Sequence, residues 1–207
     1  MLMHLPAKVN EQWKKVGENQ KTFYSQAAHR PQEICIRRGM ELLPYRRDEA
    51  EAYARYWAYG RNPAFYDYET IGGDCTNFAS QCIYAGTGVM NYTLTFGWYY
   101  ISADDKAPAW TGVEYLHNFL VRPEVSPGPV CMVTQDLALA EPGDVIQLIF
   151  HGEVFQHSPV VIQNEGSGEA SGIQIAAHSY DANCRPLSSY SYQRYRVLHI
   201  LGYYPEA

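Results

Sequence analysis

Gly72-Gly73-Asp74-Cys75-Thr76-Asn77-Phe78-Ala79-Ser80-Gln81-Cys82, residues 72–82, is the stretch on which the reading of the fold turns. Two glycines end a loop, and apolar side chains then recur at 75, 78, 79, 82 and 83. That spacing is one face of a helix. Gly73 or Asp74 supplies its start, so Cys75 falls in the first turn. Free backbone N–H groups and the positive end of the helix dipole favour a thiolate there. Cysteines so placed reach pKa values of roughly 3.5–7.5, against about 8.5 when free. A reactive thiol needs a base and a group that holds the base.

Working outward, Gly86-Thr87-Gly88 is expected to stop this helix. Upstream, Pro63 to Gly73 reads as a loop carrying Tyr66 and Tyr68. Before it, Asp48 reads as the N-cap of a helix over 49–59, with Tyr53, Tyr56 and Trp57 as its buried stripe. Residues 8–28 have mostly helical spacing, and Ile34-Cys35-Ile36 fits a short strand or the start of another helix. The chain is therefore expected to divide into a helical N-terminal extension, 1–47, and a domain, 48–207.

Downstream, 89–112 is irregular and aromatic, with Trp98, Tyr99, Tyr100 and Trp110. Val113, Leu116, Phe119 and Leu120 predict a helix near 112–121, and three prolines make 122–129 a loop. From Cys131 the character turns to β. Strands are predicted over 145–150, 154–163, 172–178 and 195–202, with turns at Pro142-Gly143-Asp144 and 165–171. Helices first and an antiparallel sheet after is an α+β pattern.

The net charge of −6 argues against sequence-independent binding of nucleic acid or anionic lipid, which needs a basic face. Five cysteines without a CxxC make neither a disulfide framework nor a zinc ribbon. No apolar run approaches the 18 or so residues of a membrane span. The first residues lack the basic and apolar regions of a signal peptide. No compartment is specified, and cytoplasmic is the default expectation.

Seven histidines offer a base. His4, His29, His117 and His151 lie in the N-terminal arm, a helix and a turn, and His199 reads as a packed core residue of the last strand. His157 and His178 bracket one hairpin. If it is symmetric about Ser167-Gly168, 157 pairs with 178 and 163 with 172, and the imidazoles become cross-strand neighbours. His157 is then the base and His178 the group that orients it. Asp181 is the alternative orienting group, although Asx residues in turns usually bond to their own backbone. Cys75, His157 and His178 are also residue types that bind zinc, but their spacing carries no metal signature. No metal or cofactor is expected.

These motifs together bring a family to mind. Gly73-Asp74-Cys75-Thr76-Asn77-Phe78-Ala79 resembles the nucleophile motif of the NlpC/P60 class of papain-like cysteine hydrolases. Pro142-Gly143-Asp144-Val145-Ile146 resembles their Pro-Gly-Asp-Leu strand. His157-Ser158-Pro159-Val160-Val161-Ile162 resembles their base strand, and Ala176-Ala177-His178-Ser179 the segment with their third polar residue. The chain is more similar still to the putative amidase domain related to that class, which adds the aromatic segment seen here as Gly97-Trp98-Tyr99-Tyr100 and Ala109-Trp110. The resemblance covers about residues 48–202.

It implies a papain-like fold with the nucleophile helix packed on an antiparallel sheet. It also implies a cysteine amidase or peptidase working through a thioester, with Cys75 as nucleophile, His157 as general base and acid, and His178 as orienter. The Cys75 N–H would hold the oxyanion, with Tyr66, Tyr68, Asp74 and Trp98 as candidates for oxyanion or substrate contact. The tyrosines have packing as their alternative role. A peptide of the bacterial cell-wall type is the first substrate expectation. A silent binding module with a groove between Trp98 and Trp110, or an acyltransferase, stays open on the same residues. Pro159 cannot donate a ladder hydrogen bond, which predicts an edge or bulged strand.

Overall fold

The apolar repeat after Gly73 forms a helix that runs through the interior of the protein. In this account α1 is Arg47–Trp57, α2 is Cys75–Thr87, α3 is Pro108–Thr111 and α4 is Val113–Leu120. The computed structural model describes residues 40–206, which lie in one compact unit, Gly39–Ala207. The helix expected over 8–28 and the element at 34–36 fall outside the described residues.

Helix α2 is buried at every residue except Tyr84. It ends at Gly88 rather than at Gly86. Gly88 takes a left-handed φ of +69°, and its N–H donates to the Tyr84 carbonyl at 2.7 Å. Gly86 stays inside the helix because the Tyr45 ring lies against it, where a Cβ would come within 2.2 Å of a ring carbon. Helix α1 starts two residues earlier than expected, with Arg46 rather than Asp48 as its N-cap. Asp48 sits in its first turn, beside the dipole's positive end. Its buried face is Ala50, Tyr53 and Ala54, while Tyr56 is 39% exposed. Leu43 pairs with Tyr203, so the chain ahead of residue 48 also lies on this unit.

The sheet has six antiparallel strands: β1 (Gly128–Thr134), β2 (Val145–Ile149), β3 (Val160–Asn164), β4 (Ile173–Ala177), β5 (Ala182–Pro186) and β6 (Arg194–Tyr204). Their spatial order is β1-β6-β2-β3-β4-β5. With its helices the protein is α+β. One sheet face meets α1, α2 and α4. The other buries a cluster that includes Ile146, Leu148, Val161, Ile175, Ala177, Leu187 and Val197. Both faces are covered, which is why every residue of β2 is buried.

Asp144, in the Pro-Gly-Asp turn, ties these layers together. Its carboxylate accepts from Arg47 at 2.7 Å, from the Ile200 N–H at 2.9 Å and from the Glu141 N–H at 2.9 Å. His199 Nδ1 lies 2.7 Å from the same carboxylate. That residue is thus an ion-pair partner rather than simple core packing, and the carboxylate holds its pKa above the usual value.

Strand β3 is internal. It satisfies the Pro159 expectation through a bulge between Val161 and Gln163, not by lying at an edge. Pro159 precedes the regular strand, and its carbonyl accepts from the Ile146 N–H at 2.9 Å. The bulge also corrects the hairpin register. Val160 pairs with Ala176, Gln163 with Gln174 and Asn164 with Ile173, instead of 163 with 172. Continued toward the strand end, this register brings residue 178 opposite 158. A one-residue slip turns a side chain to the other face of the sheet. His157, bridged to Leu148, therefore faces the outer cluster, and His178 faces the helices.

Candidate active site

Cys75 is the first residue of α2, preceded by Asp74 as N-cap. The first hydrogen bond of the helix runs from the Phe78 N–H to the Asp74 carbonyl at 2.9 Å. The N–H groups of residues 75–77 are thus left without a partner within the helix, as at any helix start. Sγ lies 3.7 Å from the Thr76 hydroxyl, and the Ser158 N–H is directed at it. Both interactions favour a thiolate. Burial opposes them and prevails: Cys75 is 7% exposed, and its pKa is pushed above the usual thiol value. This corrects the expectation of a depressed pKa. The helix start brings donors to the sulfur, but the surrounding core withdraws the solvent that would carry a charge.

His157 is 4% exposed. Desolvation lowers its pKa to about 4, with the Arg185 charge adding to the effect. At neutral pH the ring is uncharged and can accept a proton. Its Nε2 lies 3.4 Å from the Tyr190 hydroxyl, and the two rings are 5.4 Å apart. The chain runs directly from this ring to the Ser158 N–H at the sulfur. No hydrogen bond joins Sγ to the imidazole among the described residues. Such contacts in ligand-free sites are often long and tighten when substrate binds.

His178 has other partners. Its Nδ1 is 2.5 Å from Asp74 Oδ2, and its Nε2 is 2.9 Å from the Trp57 carbonyl. Both nitrogens face oxygen acceptors, which fixes the ring between the helix start and α1. Phe78 stacks on the ring at 4.0 Å between centroids. The hydrogen bond expected from His157 to His178 does not form, because the register sets them on opposite faces. Asp181 does not hold His157 either. It makes a bidentate pair with Arg61, at 3.0 and 3.1 Å.

Asp74 is fully engaged. Besides His178, it accepts from the Tyr68 N–H at 3.0 Å and from Asn77 Nδ2 at 2.8 Å. It secures the loop and the helix start, and offers nothing to an oxyanion. Tyr66 and Tyr68 build the same loop. The Tyr66 N–H donates to the Tyr100 hydroxyl at 2.8 Å, and the Tyr68 hydroxyl donates to the Ala103 carbonyl at 3.3 Å. Trp98 is removed from the substrate candidates. Trp98 and Trp110 are 0% exposed, and their indole N–H groups donate to Ser80 and to Asn77. The cavity beside them, about 660 Å³, is lined by Phe96, Ala109 and Tyr115 rather than by either tryptophan.

Three residues at the site escaped the sequence reading: Tyr190, Thr76 and Ser158. Thr76 and Ser158 adjoin Cys75 and His157, and that adjacency was the available signal. Tyr190 arrives from Ser-Ser-Tyr-Ser-Tyr with no motif at all. Among the described residues no group of three or more His, Cys, Asp or Glu is arranged to hold a metal ion.

The His157 environment predicts a pH dependence of stability. Its folded pKa, about 4, lies below the unfolded value of about 6.5. Between those values the unfolded chain binds the extra proton, so stability falls as pH drops through this window. The total loss is about 3 kcal/mol, at 1.36 kcal/mol per unit. His157→Gln should flatten the dependence of denaturation midpoints between pH 6.5 and 4. An unchanged slope in the variant would show that the ring is not buried as described.

A family model described as "Putative amidase domain" matches residues 44–201. A curated protein of Bacillus subtilis (strain 168), "Uncharacterized protein YhbB", is 28% identical over 144 residues. The aligned part is 68% of this chain and 43% of that protein, so less than half of the relative's length is spanned. No solved structure matches significantly. With three quarters of its length under one family model, the chain belongs to the putative amidase domain family.

Proposed function

We propose that this amidase-family domain is a cysteine-dependent amide hydrolase, related in mechanism and fold to the papain-like NlpC/P60 class. The observation that carries the reading is the surroundings of Cys75: a thiol at the first residue of a buried helix, with the Thr76 hydroxyl and the Ser158 N–H directed at its sulfur. His157, the residue before Ser158, is an uncharged imidazole at neutral pH.

In this mechanism the thiol and imidazole begin neutral. His157 takes the thiol proton as Sγ attacks the substrate carbonyl. It reaches the sulfur around the start of β3, where the adjoining Ser158 N–H is directed at Sγ and its partner Tyr190 feels the Cys75 charge. Tyr190 engages Nε2, which leaves Nδ1 as the accepting atom. The Cys75 N–H, free of any helical partner, stabilises the oxyanion. His157 then passes the proton to the leaving amine, and a thioester remains on Cys75. Water, activated by the same imidazole, releases the carboxylate. Tyr190 takes the orienting role that His178 was expected to fill. His178 instead positions the nucleophile through Asp74.

The substrate class proposed is a peptide-type amide, with cell-wall peptides as the first candidates. Incubation with such amides should release equimolar amine and carboxylate, and prior alkylation of Cys75 should stop it. Adding a second amine separates hydrolysis from acyl transfer. A new amide as the main product would replace water by an amine as acceptor.

A further inference from the structure

A line of buried polar groups runs from the sheet to the nucleophile. Arg196 on β6 donates through Nε to Gln147 Oε1 at 2.7 Å, and through Nη2 to Glu114 Oε2 at 2.9 Å. Gln147 Nε2 donates to the Val113 carbonyl at 2.8 Å and to Ser158 Oγ at 3.4 Å. Ser158 Oγ is 3.1 Å from Thr76 Oγ1, which is 3.7 Å from Cys75 Sγ. Gln147, Ser158 and Thr76 are at most 1% exposed, so bulk water does not compete for their protons.

The direction of every bond follows from the two ends. A guanidinium only donates and a carbonyl only accepts, which orients the Gln147 amide. Its NH₂ then donates to Ser158, whose single proton has Thr76 Oγ1 as its acceptor. The Thr76 proton is left for the sulfur. We infer that Arg196 sets the polarity of a relay, through Gln147 and Ser158, that commits the Thr76 hydroxyl to donate to Cys75. Thr76, Ser158 and Gln147 are positioning residues, and the relay stabilises the thiolate form that appears when the thiol proton leaves. This rests on the reading of Cys75 as nucleophile.

Other groups around the sulfur remain constant when the relay is cut. Asp74, on the same helix, opposes ionisation. Tyr190 comes from the segment before β6, with Arg185 of β5 over its ring at 4.0 Å. His157, ahead of β3, is uncharged above about pH 4.

The experiment follows the iodoacetamide alkylation rate of Cys75 against pH in the full chain, reading the Cys75 peptide by mass spectrometry. Thr76→Val should raise the midpoint by about one unit, the size expected for losing a hydrogen bond to a charged acceptor. Thr76→Ser should restore it. Gln147→Leu should raise it by less, because the last donor remains. If Thr76→Val does not fold, Ser158→Ala provides the same reading, since it frees the Thr76 proton from its fixed direction. An unchanged midpoint in the folded variants overturns the relay. Amide turnover that survives Cys75→Ser while Thr76→Val still shifts the midpoint overturns the nucleophile reading instead, and removes the relay's role in catalysis.

Discussion

Cys75→Ser is expected to lower kcat/KM for amide hydrolysis by about 10⁴-fold or more, the scale on which loss of a nucleophile acts. The loss should be chemical rather than structural. Serine is smaller by little, and the groups that fix the helix start are Asp74, His178 and Asn77, all unchanged. Denaturation midpoints should therefore stay close to the parent's while turnover disappears. A hydroxyl in this place is a poor substitute, because its proton is far harder to remove. Cys82, seven residues along α2 and 0% exposed, serves as the control. Its replacement by alanine should affect stability and leave turnover nearly intact.

The second large effect belongs to His157. His157→Ala should reduce turnover by about 10³-fold. Nucleophile and base act as a unit, so the double variant with Cys75→Ser should be little worse than the poorer single one. Losses that multiply would mean that they do not share a step. Tyr190→Phe removes only the hydroxyl at Nε2, and should cost about tenfold, because the ring is loosened rather than lost. The pH profile gives an independent reading. The base works only when uncharged, and burial holds its pKa at about 4. Activity should thus hold from neutral pH down to about 5 and fall near 4, not at the 6.5 of a free imidazole. An acid limb near 6.5 would place the ring in solvent.

How much of this could be read in the sequence depended on how local the signal was. The helix beginning at Cys75, the buried stripe of α4 and the apolar run of β2, broken only by Gln147, are signals carried by single segments, and they appear where expected. Strand β5 went unseen because Asn183 and Pro186 read as turn residues. At a sheet edge, where one side of the backbone needs no partner, such residues are tolerated. The pairing of His157 with His178 failed on a single bulged residue in β3, a feature that no alternation of side chains announces. The aromatic segment misled for a different reason. Trp98 and Trp110 fill the space against α2, and apolar character alone does not distinguish a core from a groove. The relay through Arg196 joins positions 76, 147, 158 and 196, which only the finished sheet brings together. The thiol's pKa was misjudged because a helix start is visible in sequence and the depth of its burial is not.

The central claim is that a thioester forms on Cys75. Rapid acid quench of the protein during turnover of an activated amide, followed by mass spectrometry of the peptide that carries residue 75, tests it most directly. The account predicts an added mass equal to the acyl group on Cys75, absent in Cys75→Ser and accumulating in early turnover. Steady turnover with no acyl adduct at residue 75, or with the adduct on another residue, would contradict it.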